Sequence, residues 1–544
     1  MTRTHRILAI TGILATYAAP ARAWQAPDVP QPAAAADGDP SGGQVLTQGP
    51  IHEAFAQPVL YDPKPSPVVA KAVPAPINEL PPDQKPKGDN VQWIPGYWAW
   101  DDSRSDFLWV SGVWRAVPAG RQWVPGYWSK VDGGSQWVSG YWAASDATQV
   151  HYLPEPPASL EQGPSSPAPD ANSTWAPGTW AWQDNQYQWR PGFWVNNQPN
   201  WMWSPATTSW TPNGYVTNQG YWDYPMASRG QPFAPVYFGQ GITGRPNFAY
   251  TPGVGLLTSA LATSLFVRPA YNTYLFGDYY GANHYGSGIY PWYAFHNSRY
   301  GYDPLYAYSA SQNLRTNPRW ANEIHDVYQY RREHAEARPP RTFAESRNLV
   351  ARPTGGNSAI PAAAANLALA RPLSQIANPA SGASANAIRF EKIDAARQKQ
   401  LAAQTADFHK MRDERTRREI EGRRDAPAAG ANGQAAARPL EMPRSPLAGP
   451  NAGTGRVAPP APPAHPEIDK TARPNPANAN PVRHEPRPDT RPPAPHPTAE
   501  ARPNPAPAPV RPNPAPAPRP NPAPATQPNP GPAARPPAAQ TKKK

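Results

Sequence analysis

Large aromatic residues recur along the middle of the chain in one fixed pattern, Trp-x-x-Gly-x-Trp, which predicts a repeated structural unit. The pattern occurs six times, and four of the copies have proline before the glycine. The copies run over residues 93–98, 109–114, 123–128, 137–142, 175–180 and 189–194, with degenerate copies continuing to residue 222. Successive copies begin 14 or 16 residues apart, except for one interval of 38. Such an internal period indicates an array of similar units.

Polar turn residues separate the aromatic copies. Asp132-Gly133-Gly134 lies between the third and fourth copies, and Asp101-Asp102 and Asn196-Asn197 lie in other gaps. Asp-Gly between aromatic runs is a strong hairpin signal, and Trp, Tyr and Val favour pleated, half-buried surfaces. We therefore predict a mainly β fold, an antiparallel hairpin or meander array. Each unit is expected to be one strand of about six to eight residues followed by a turn.

The glycine at the centre of each copy, preceded by proline in four of them, leaves two arrangements open. Proline cannot donate to a β ladder, which predicts a bulge or an unpaired edge position beside each glycine. In a regular strand the two tryptophans of a copy, five residues apart, lie on opposite faces, whereas a bulge places them on one face. Either arrangement forms a ladder of stacked rings. The candidate ligand-binding ladder consists of Trp93, Tyr97, Trp98, Trp109, Trp114, Trp123, Tyr127, Trp128, Trp137, Tyr141, Trp142, Trp175, Trp180, Trp189, Phe193 and Trp194.

This phrase resembles that of the WXXGXW (YXWGXW) tryptophan-repeat proteins, a group of exported bacterial proteins without an established activity. The resemblance covers residues 93 to about 222, a quarter of the chain. It implies export and a setting in the cell envelope or at the cell surface, and it supplies no catalytic residue or cofactor. A looser similarity to choline-binding cell-wall repeats, whose repeat is longer, suggests a type of ligand only.

The N-terminus has the layout of a secretory signal peptide. Residues 1–23 contain Arg3 and Arg6, an apolar run and Ala21-Arg22-Ala23 before Trp24. This layout predicts cleavage before Trp24 and export to the periplasm, cell envelope or cell surface. No later apolar run reaches the length of a membrane-spanning helix, so none is expected after cleavage.

Composition divides the rest of the chain. We predict a Pro/Ala-rich linker over 24–90, a repeat β-domain over 91–225 with a Pro-rich insert at 153–170, and a Tyr/Gly-rich region over 226–310. That region is expected to be an irregular layer on the repeats or a partly disordered surface, the layer being favoured. Leu257, Leu261 and Leu265 predict a short apolar helix over 254–267. Further helices are expected over 317–338 and 386–424. The second is strongly charged, and its cluster of Arg415, Arg417 and Arg418 is most simply a solvated face. A disordered Pro/Ala-rich tail is expected over 438–544.

Charge and cysteine content exclude several classes of protein. The chain has no cysteine, which excludes disulfides and cysteine-based metal or redox sites. Its net charge is +12, but the tail alone has 15 basic and 6 acidic residues and the leader has three arginines, so residues 24–437 are neutral. A neutral central region argues against nucleic-acid binding. The basic tail is expected to contact anionic envelope polymers or to act as a spacer.

No catalytic motif is present, and we expect neither an enzyme nor a cofactor or metal site. The chain lacks a phosphate loop, G-x-S-x-G and H-E-x-x-H. His52-Glu53 is explained more simply by a linker, and His284 and His296 by a structural or surface role. The favoured hypothesis is an envelope protein whose repeats form a scaffold or interaction surface for cell-wall polysaccharide or other envelope proteins. The alternatives are a glycan- or cell-wall-binding module with exposed rings and a glycoside-acting enzyme using Asp101, Asp102 or Asp106.

Overall fold

The computed structural model describes residues 42–350, 367–378, 388–424, 437–442, 444–447, 458–465 and 467. The expected signal peptide lies outside these residues, as does most of the expected tail. All described residues lie in the first of the two units into which the chain divides, Met1–Asn480.

The repeats form four antiparallel hairpins, each built from two copies of the phrase. Hairpin 1 spans residues 91–116, hairpin 2 spans 121–144, hairpin 3 spans 173–196 and hairpin 4 spans 202–223. The inner strand pairs are Tyr97–Asp101 with Asp106–Val110, Tyr127–Val131 with Gly134–Val138, Thr179–Gln183 with Gln186–Arg190, and Thr207–Thr211 with Gly214–Asn218. The outer pairs are Val91–Ile94 with Val113–Ala116, Arg121–Val124 with Tyr141–Ala144, Ser173–Ala176 with Phe193–Asn196, and Met202–Ser204 with Tyr221–Asp223. The prediction of a mainly β array of antiparallel hairpins is confirmed.

The unit of the array differs from the expected single strand. Each phrase begins in one strand and ends in the next, with the Pro-Gly or Ser-Gly pair between them. The break adds no residue, because Ile94 opposite Val113 and Tyr97 opposite Val110 keep one continuous register. In hairpin 1 the two tryptophan pairs pack into different hydrophobic clusters, as regular alternation without a bulge predicts.

Successive hairpins do not pair with each other in the described sheets, so the array is not a continuous meander. Hairpin 1 instead gains strands from further along the chain. Gly230–Pro232 pairs with its strand Val113–Ala116, and Val236–Phe238 pairs with Asp106–Val110 and with Gly43–Val45.

The Tyr/Gly-rich region forms an ordered second layer. Leu265–Arg268 and Thr273–Phe276 form the centre of a four-stranded sheet edged by Gly49–Pro50 and Tyr290–Pro291. Its side chains join Trp123 and Trp142 of hairpin 2 in the largest hydrophobic cluster. The favoured expectation of a layer on the repeats agrees with this packing.

The expected helix over 254–267 is wrong. The segment contains a strand Val254–Leu256, a 3-10 helix Thr258–Thr263 and the start of the strand Leu265–Arg268. Gly255 and the β-branched Val254 and Val267 are poor helix formers, and both ends find strand partners, Ala370–Pro372 and Thr273–Phe276.

Residues 42–90 and part of the tail also differ from the linker and disordered segment that were expected. Strands Gly43–Val45, Gly49–Pro50, Val59–Leu60 and Gln84–Pro86 pair with distant parts of the chain, the last two with Gly301–Tyr302 and Phe390–Lys392. Ile51, Phe55 and Ile77 are buried. Within the tail, Arg438–Glu441 pairs with Gln149–Tyr152.

Helices occupy the C-terminal half of the described residues. The longer helices are Pro304–Asn313, Trp320–Glu333, Phe343–Val350 and Ala395–Arg424, and the shorter ones are Ala282–Gly286, Trp292–His296 and Leu373–Ala377. Further 3-10 turns lie at Met226–Ser228, Pro269–Tyr271 and Ala335–Ala337. The two helices predicted over 317–338 and 386–424 are thus present, although shorter. Within the described part of the chain, none of the helices has the length and apolar content needed to cross a bilayer.

Candidate functional site

The tryptophans of each hairpin meet in pairs across the two strands. Their ring centroids lie 5.1 to 5.6 Å apart, mostly edge to face. The pairs are Trp93–Trp114, Trp98–Trp109, Trp123–Trp142, Trp128–Trp137, Trp175–Trp194, Trp180–Trp189 and Trp203–Trp222. Hairpin 4 replaces its inner pair by Thr208 and Thr217, whose hydroxyls hydrogen-bond at 3.1 Å. Each aromatic pair stabilises a hairpin by about 0.5–1.5 kcal/mol beyond its buried area.

The glycine of each phrase is required by the first tryptophan of the partner phrase. A Cβ on Gly126 would lie 2.5 Å from Cζ2 of Trp137, and one on Gly140 would lie 2.5 Å from Cζ2 of Trp123. The same contact recurs at the other glycines of the repeat. Gly96 lies against Trp109, Gly112 against Trp93, Gly178 against Trp189, Gly192 against Trp175 and Gly220 against Trp203. The glycine of a phrase is therefore in contact with the first tryptophan of the partner phrase and not with the first tryptophan of its own phrase.

A buried glutamate from outside the repeats closes the centre of hairpin 1. Glu79 accepts the backbone N–H of Gly96 at 2.6 Å and that of Gly112 at 2.9 Å. The indole N–H of Trp109 donates to the same carboxylate at 3.0 Å. One side chain thus binds the central amides of both phrases.

Hairpin 2 is closed in the same way by Glu53. Its Oε1 accepts the N–H of Gly126 at 3.2 Å and that of Gly140 at 3.1 Å. The neighbouring His52 bonds the carbonyl of Pro95 through Nε2 at 3.0 Å and accepts the N–H of Ala54. His52 and Glu53 are therefore both buried in structural contacts.

In hairpin 3 the same position belongs to Glu161 of the Pro-rich insert. It accepts the N–H of Gly178 and, at 3.2 Å, the indole N–H of Trp175. For hairpin 4, no carboxylate of the described residues accepts a hydrogen bond from Gly220. Three of the four hairpins are thus closed by an acid that lies outside the repeat phrase.

Burial changes the proton affinity of two of these acids. It raises the pKa of Glu53 and of Glu79 to about 7 against the opposing effect of the glycine amides. Burial also lowers the pKa of His52 to about 4.

The two buried acids share a sequence motif that the sequence analysis did not use. Pro50-Ile51-His52-Glu53 and Pro76-Ile77-Asn78-Glu79 are two copies of Pro-Ile-x-Glu.

The second tryptophan of a phrase binds a backbone carbonyl of the same docked segments. The indole N–H of Trp98 donates to Ala75 O at 2.9 Å, that of Trp180 to Ala158 O at 3.1 Å and that of Trp142 to Ala54 O at 3.2 Å. In hairpin 4, Trp222 donates to Ala461 O at 3.1 Å. Hairpins 1, 3 and 4 therefore each bind a proline-rich segment, whereas hairpin 2 binds the turn at residues 53–55.

The helix Ala395–Arg424 covers hairpin 2, which corrects the expectation that its charged cluster is a solvated face. Arg415 and Glu419 are fully buried and pair at 2.8 Å. Arg415 donates to Pro125 O and Ser139 O, and its guanidinium lies over the rings of Tyr127 and Tyr141. The helix thus provides a side-chain donor, Arg415, for two backbone carbonyls at the centre of hairpin 2.

A narrow cleft, partly open to solvent, lies between hairpins 1 and 2 and the second layer. Trp100, Trp128, Tyr271 and Tyr279 are among its aromatic lining residues. Asp101, Asp102, Arg268 and Glu53 supply its charged groups. Arg268 forms an ion pair with Asp102 and lies 4.0 Å over the ring of Tyr271.

Most of the candidate ladder lies inside the molecule. Its half-buried members are Tyr97, Trp128, Trp175, Phe193 and Trp194, and its other eleven members are buried. Asp106 lies outside the cleft and pairs with Lys71, and His296 bonds the backbone carbonyl of Asp303. The described residues contain no group of three side chains that could hold a metal ion.

Comparison with known proteins identifies the repeat alone. A family model described as "WXXGXW repeat (2 copies)" matches residues 88–115, 123–143 and 174–195. These matches coincide with hairpins 1, 2 and 3. No curated protein and no solved structure matches the chain.

Proposed function

We propose that this WXXGXW-repeat protein is a non-enzymatic, exported component of the cell envelope or cell surface, in which the hairpins form a structural scaffold. One observation carries the scaffold role: central glycine amides of three hairpins bind glutamates from elsewhere in the chain, of which Glu53 and Glu79 are buried. The repeat chemistry thus holds distant parts of the chain together. The leader pattern of residues 1–23 supports export.

The absence of an enzymatic role is supported by comparing Glu53 with Glu79. A buried carboxyl with a raised pKa in a cleft is often a catalytic acid. The pKa of Glu79 is raised to the same value, yet Glu79 does not line the cleft and binds two glycine amides. Burial at the centre of a hairpin therefore accounts for the raised pKa of both acids without a catalytic role.

Cell fractionation of the full-length protein tests this proposal. We expect the protein in the envelope or extracellular fraction, with an N-terminus at Trp24 in intact-mass measurement. A chain that lacks residues 2–23 is expected in the cytosol. A full-length protein that keeps Met1 and stays in the cytosol contradicts the proposed location.

The cleft favours glycan binding as a second candidate function. Trp100 and Trp128 are half-buried at its wall, beside Asp101 and Asp102. Flat aromatic faces next to carboxylates are suited to the apolar faces and hydroxyls of sugars.

A titration with soluble cell-wall glycan fragments tests this second function. Tryptophan fluorescence of the full-length protein is followed at low and high salt, since contacts of the basic tail weaken with salt and stacking does not. We expect Trp100→Ala to abolish a salt-independent change. Trp182→Ala, a half-buried tryptophan outside the cleft, should leave it intact, and equal effects of the two variants would exclude the cleft.

A further inference from the structure

Hairpins 1 and 4 each bind an alanine carbonyl of a docked segment through the indole N–H of the second tryptophan of a phrase. In hairpin 1, Trp98 bonds Ala75 O, and Glu79, four residues later, lies at Trp109 and Gly96. In hairpin 4, Trp222 takes the place of Trp98, Trp203 that of Trp109 and Gly220 that of Gly96. The alanine carbonyl belongs to a Pro-Ala-Pro triplet in both cases, Pro74-Ala75-Pro76 and Pro460-Ala461-Pro462.

The residue four positions after the alanine differs between the two segments. His465 stands where hairpin 1 has Glu79, and its ring lies 6.3 Å from that of Trp203 and 4.9 Å from that of Phe193. Burial lowers the pKa of His465, and the nearby Arg190 lowers it further. An imidazole cannot supply the carboxylate that binds the glycine amide in hairpin 1.

The segment on hairpin 4 is consequently held less firmly. Residues 73–80 bury Ile77 and Glu79, and Asn78 and Leu80 exchange backbone hydrogen bonds with Tyr250. Residues 458–465 contain no buried residue, and their one hydrogen bond to the hairpin is that of Trp222. Gly220 is half-exposed, whereas Gly96 is buried.

We propose that hairpin 4 is a docking site for a partner polypeptide that carries an extended Pro-Ala-Pro-x-x-Glu segment, which displaces residues 458–465. The prolines hold the segment extended before it binds, which lowers the entropy cost. The indole N–H of Trp222 binds the alanine carbonyl, and the glutamate binds the amide of Gly220 beside Trp203. Hydrogen bonds to an ionised acceptor are about twice as strong as neutral ones, which favours the acidic segment over the one with His465.

The probe is a fluorescently labelled peptide with the sequence of residues 73–80, Val-Pro-Ala-Pro-Ile-Asn-Glu-Leu, added to the unlabelled full-length protein. We expect saturable binding in fluorescence anisotropy. A peptide with glutamine in place of the glutamate should bind about tenfold more weakly, since a hydrogen bond to a charged group contributes about 1.5–3 kcal/mol.

Two substitutions place the peptide on hairpin 4. Trp222→Phe removes the indole N–H and is expected to weaken binding about tenfold. The matched control Trp98→Phe makes the same change in hairpin 1, whose site already holds residues 73–80, and should leave peptide affinity unchanged. His465→Glu restores the acid to the chain's own segment and should reduce peptide binding by competition.

The proposal is overturned by three results. They are a lack of saturable binding, equal affinity for the glutamate and glutamine peptides, and peptide affinity unchanged by His465→Glu. The last variant leaves the Trp203–Trp222 pair intact and so decides the matter even if Trp222→Phe does not fold. Because the assay uses purified protein, its failure would leave the proposed scaffold role and location untouched.

Discussion

At the scale of single residues, the glycine of each phrase is fixed by a ring from the other strand. Trp137 covers Gly126 so closely that any side chain displaces either the indole or the carboxylate of Glu53, which lies 2.6 Å from the position of a Cβ. The identity of the residue thus depends on a partner 11 positions away in sequence. A conformational demand for positive φ is not the reason, since Gly126 is not among the glycines with positive φ.

Gly126→Ala is therefore expected to destabilise the protein by about 1–3 kcal/mol, the usual cost of overpacking. Gly253→Ala is the control, because a methyl there meets no atom within 4 Å. Urea unfolding monitored by tryptophan fluorescence measures both. Equal losses in the two variants would contradict the role of the Trp137 contact.

The buried Glu79 is expected to make the stability of the protein depend on pH. Its pKa rises from 4.5, the ordinary value, to about 7 on folding. The folded protein then keeps a proton that the unfolded chain releases, so the stability from this group is full below the ordinary pKa and is lost as the pH rises through the folded-state pKa. The group's contribution falls by up to about 3 kcal/mol over this window, at 1.36 kcal/mol per unit.

Glu79→Gln removes this titration. The unfolding free energy of the wild type minus that of the variant should decrease as the pH rises from 4.5 to above 7. Urea unfolding at several pH values measures it. Taking the difference also cancels the opposite slope from His52, His296 and His409, whose pKa values burial lowers to about 4. Parallel profiles would show that Glu79 is ionised throughout.

At the scale of elements, the long helix Ala395–Arg424 is attached through a buried ion pair. The carboxylate of Glu419 accepts hydrogen bonds from the guanidinium of Arg415 and from the hydroxyls of Tyr127 and Tyr152, at 2.6 to 2.8 Å. Such a pair gives little net stability against an apolar replacement, but removing one partner leaves the other charge unpaired in the interior.

Glu419→Ala should therefore cost about 3–5 kcal/mol in unfolding free energy and release the helix from hairpin 2. Glu421→Ala is the control, since Glu421 pairs with Arg417 at the surface and about half of each side chain is exposed. Thermal unfolding and limited proteolysis of the helix measure the two variants. A large loss from Glu421→Ala would mean that helix formation, and not docking, is being measured.

At the scale of the whole molecule, the hairpins are joined by segments from outside the repeats and not by one sheet. Residues 42–90 carry both Glu53 and Glu79, whereas Glu161 of hairpin 3 comes from the insert beside it. Removal of one closing glutamate should consequently destabilise mainly its own hairpin, because local unfolding occurs in contiguous cooperative units.

Glu161→Ala is expected to increase hydrogen exchange in residues 173–196 and to leave residues 91–116 protected, and Glu79→Ala should do the reverse. Exchange measured by mass spectrometry on both variants makes each the control for the other. A uniform loss of protection in either variant would show that the hairpins unfold as one unit.

Several features were predictable because they depend on residues close together in sequence. The hairpins follow from the period and from turn residues such as Asp132-Gly133, and the helices Trp320–Glu333 and Ala395–Arg424 follow from apolar spacing and charge. The helix expected over 254–267 was wrong because its ends pair with strands that the local pattern does not show. The burial of Arg415 was missed for the same reason, since its partners Pro125 and Ser139 lie far away in the chain.

The sequence by itself determined the repeat, its aromatic composition and the turns that begin at Asp102 and Asp132. Only the tertiary structure decided that a phrase spans two strands, that its first indole covers the glycine of another phrase, and that glutamates from proline-rich segments close the centre. The physical reason is range. Strand and turn preferences act over a few residues, whereas a buried carboxylate is stable only where several N–H donors converge on it, and folding alone brings Gly96, Gly112 and Glu79 together.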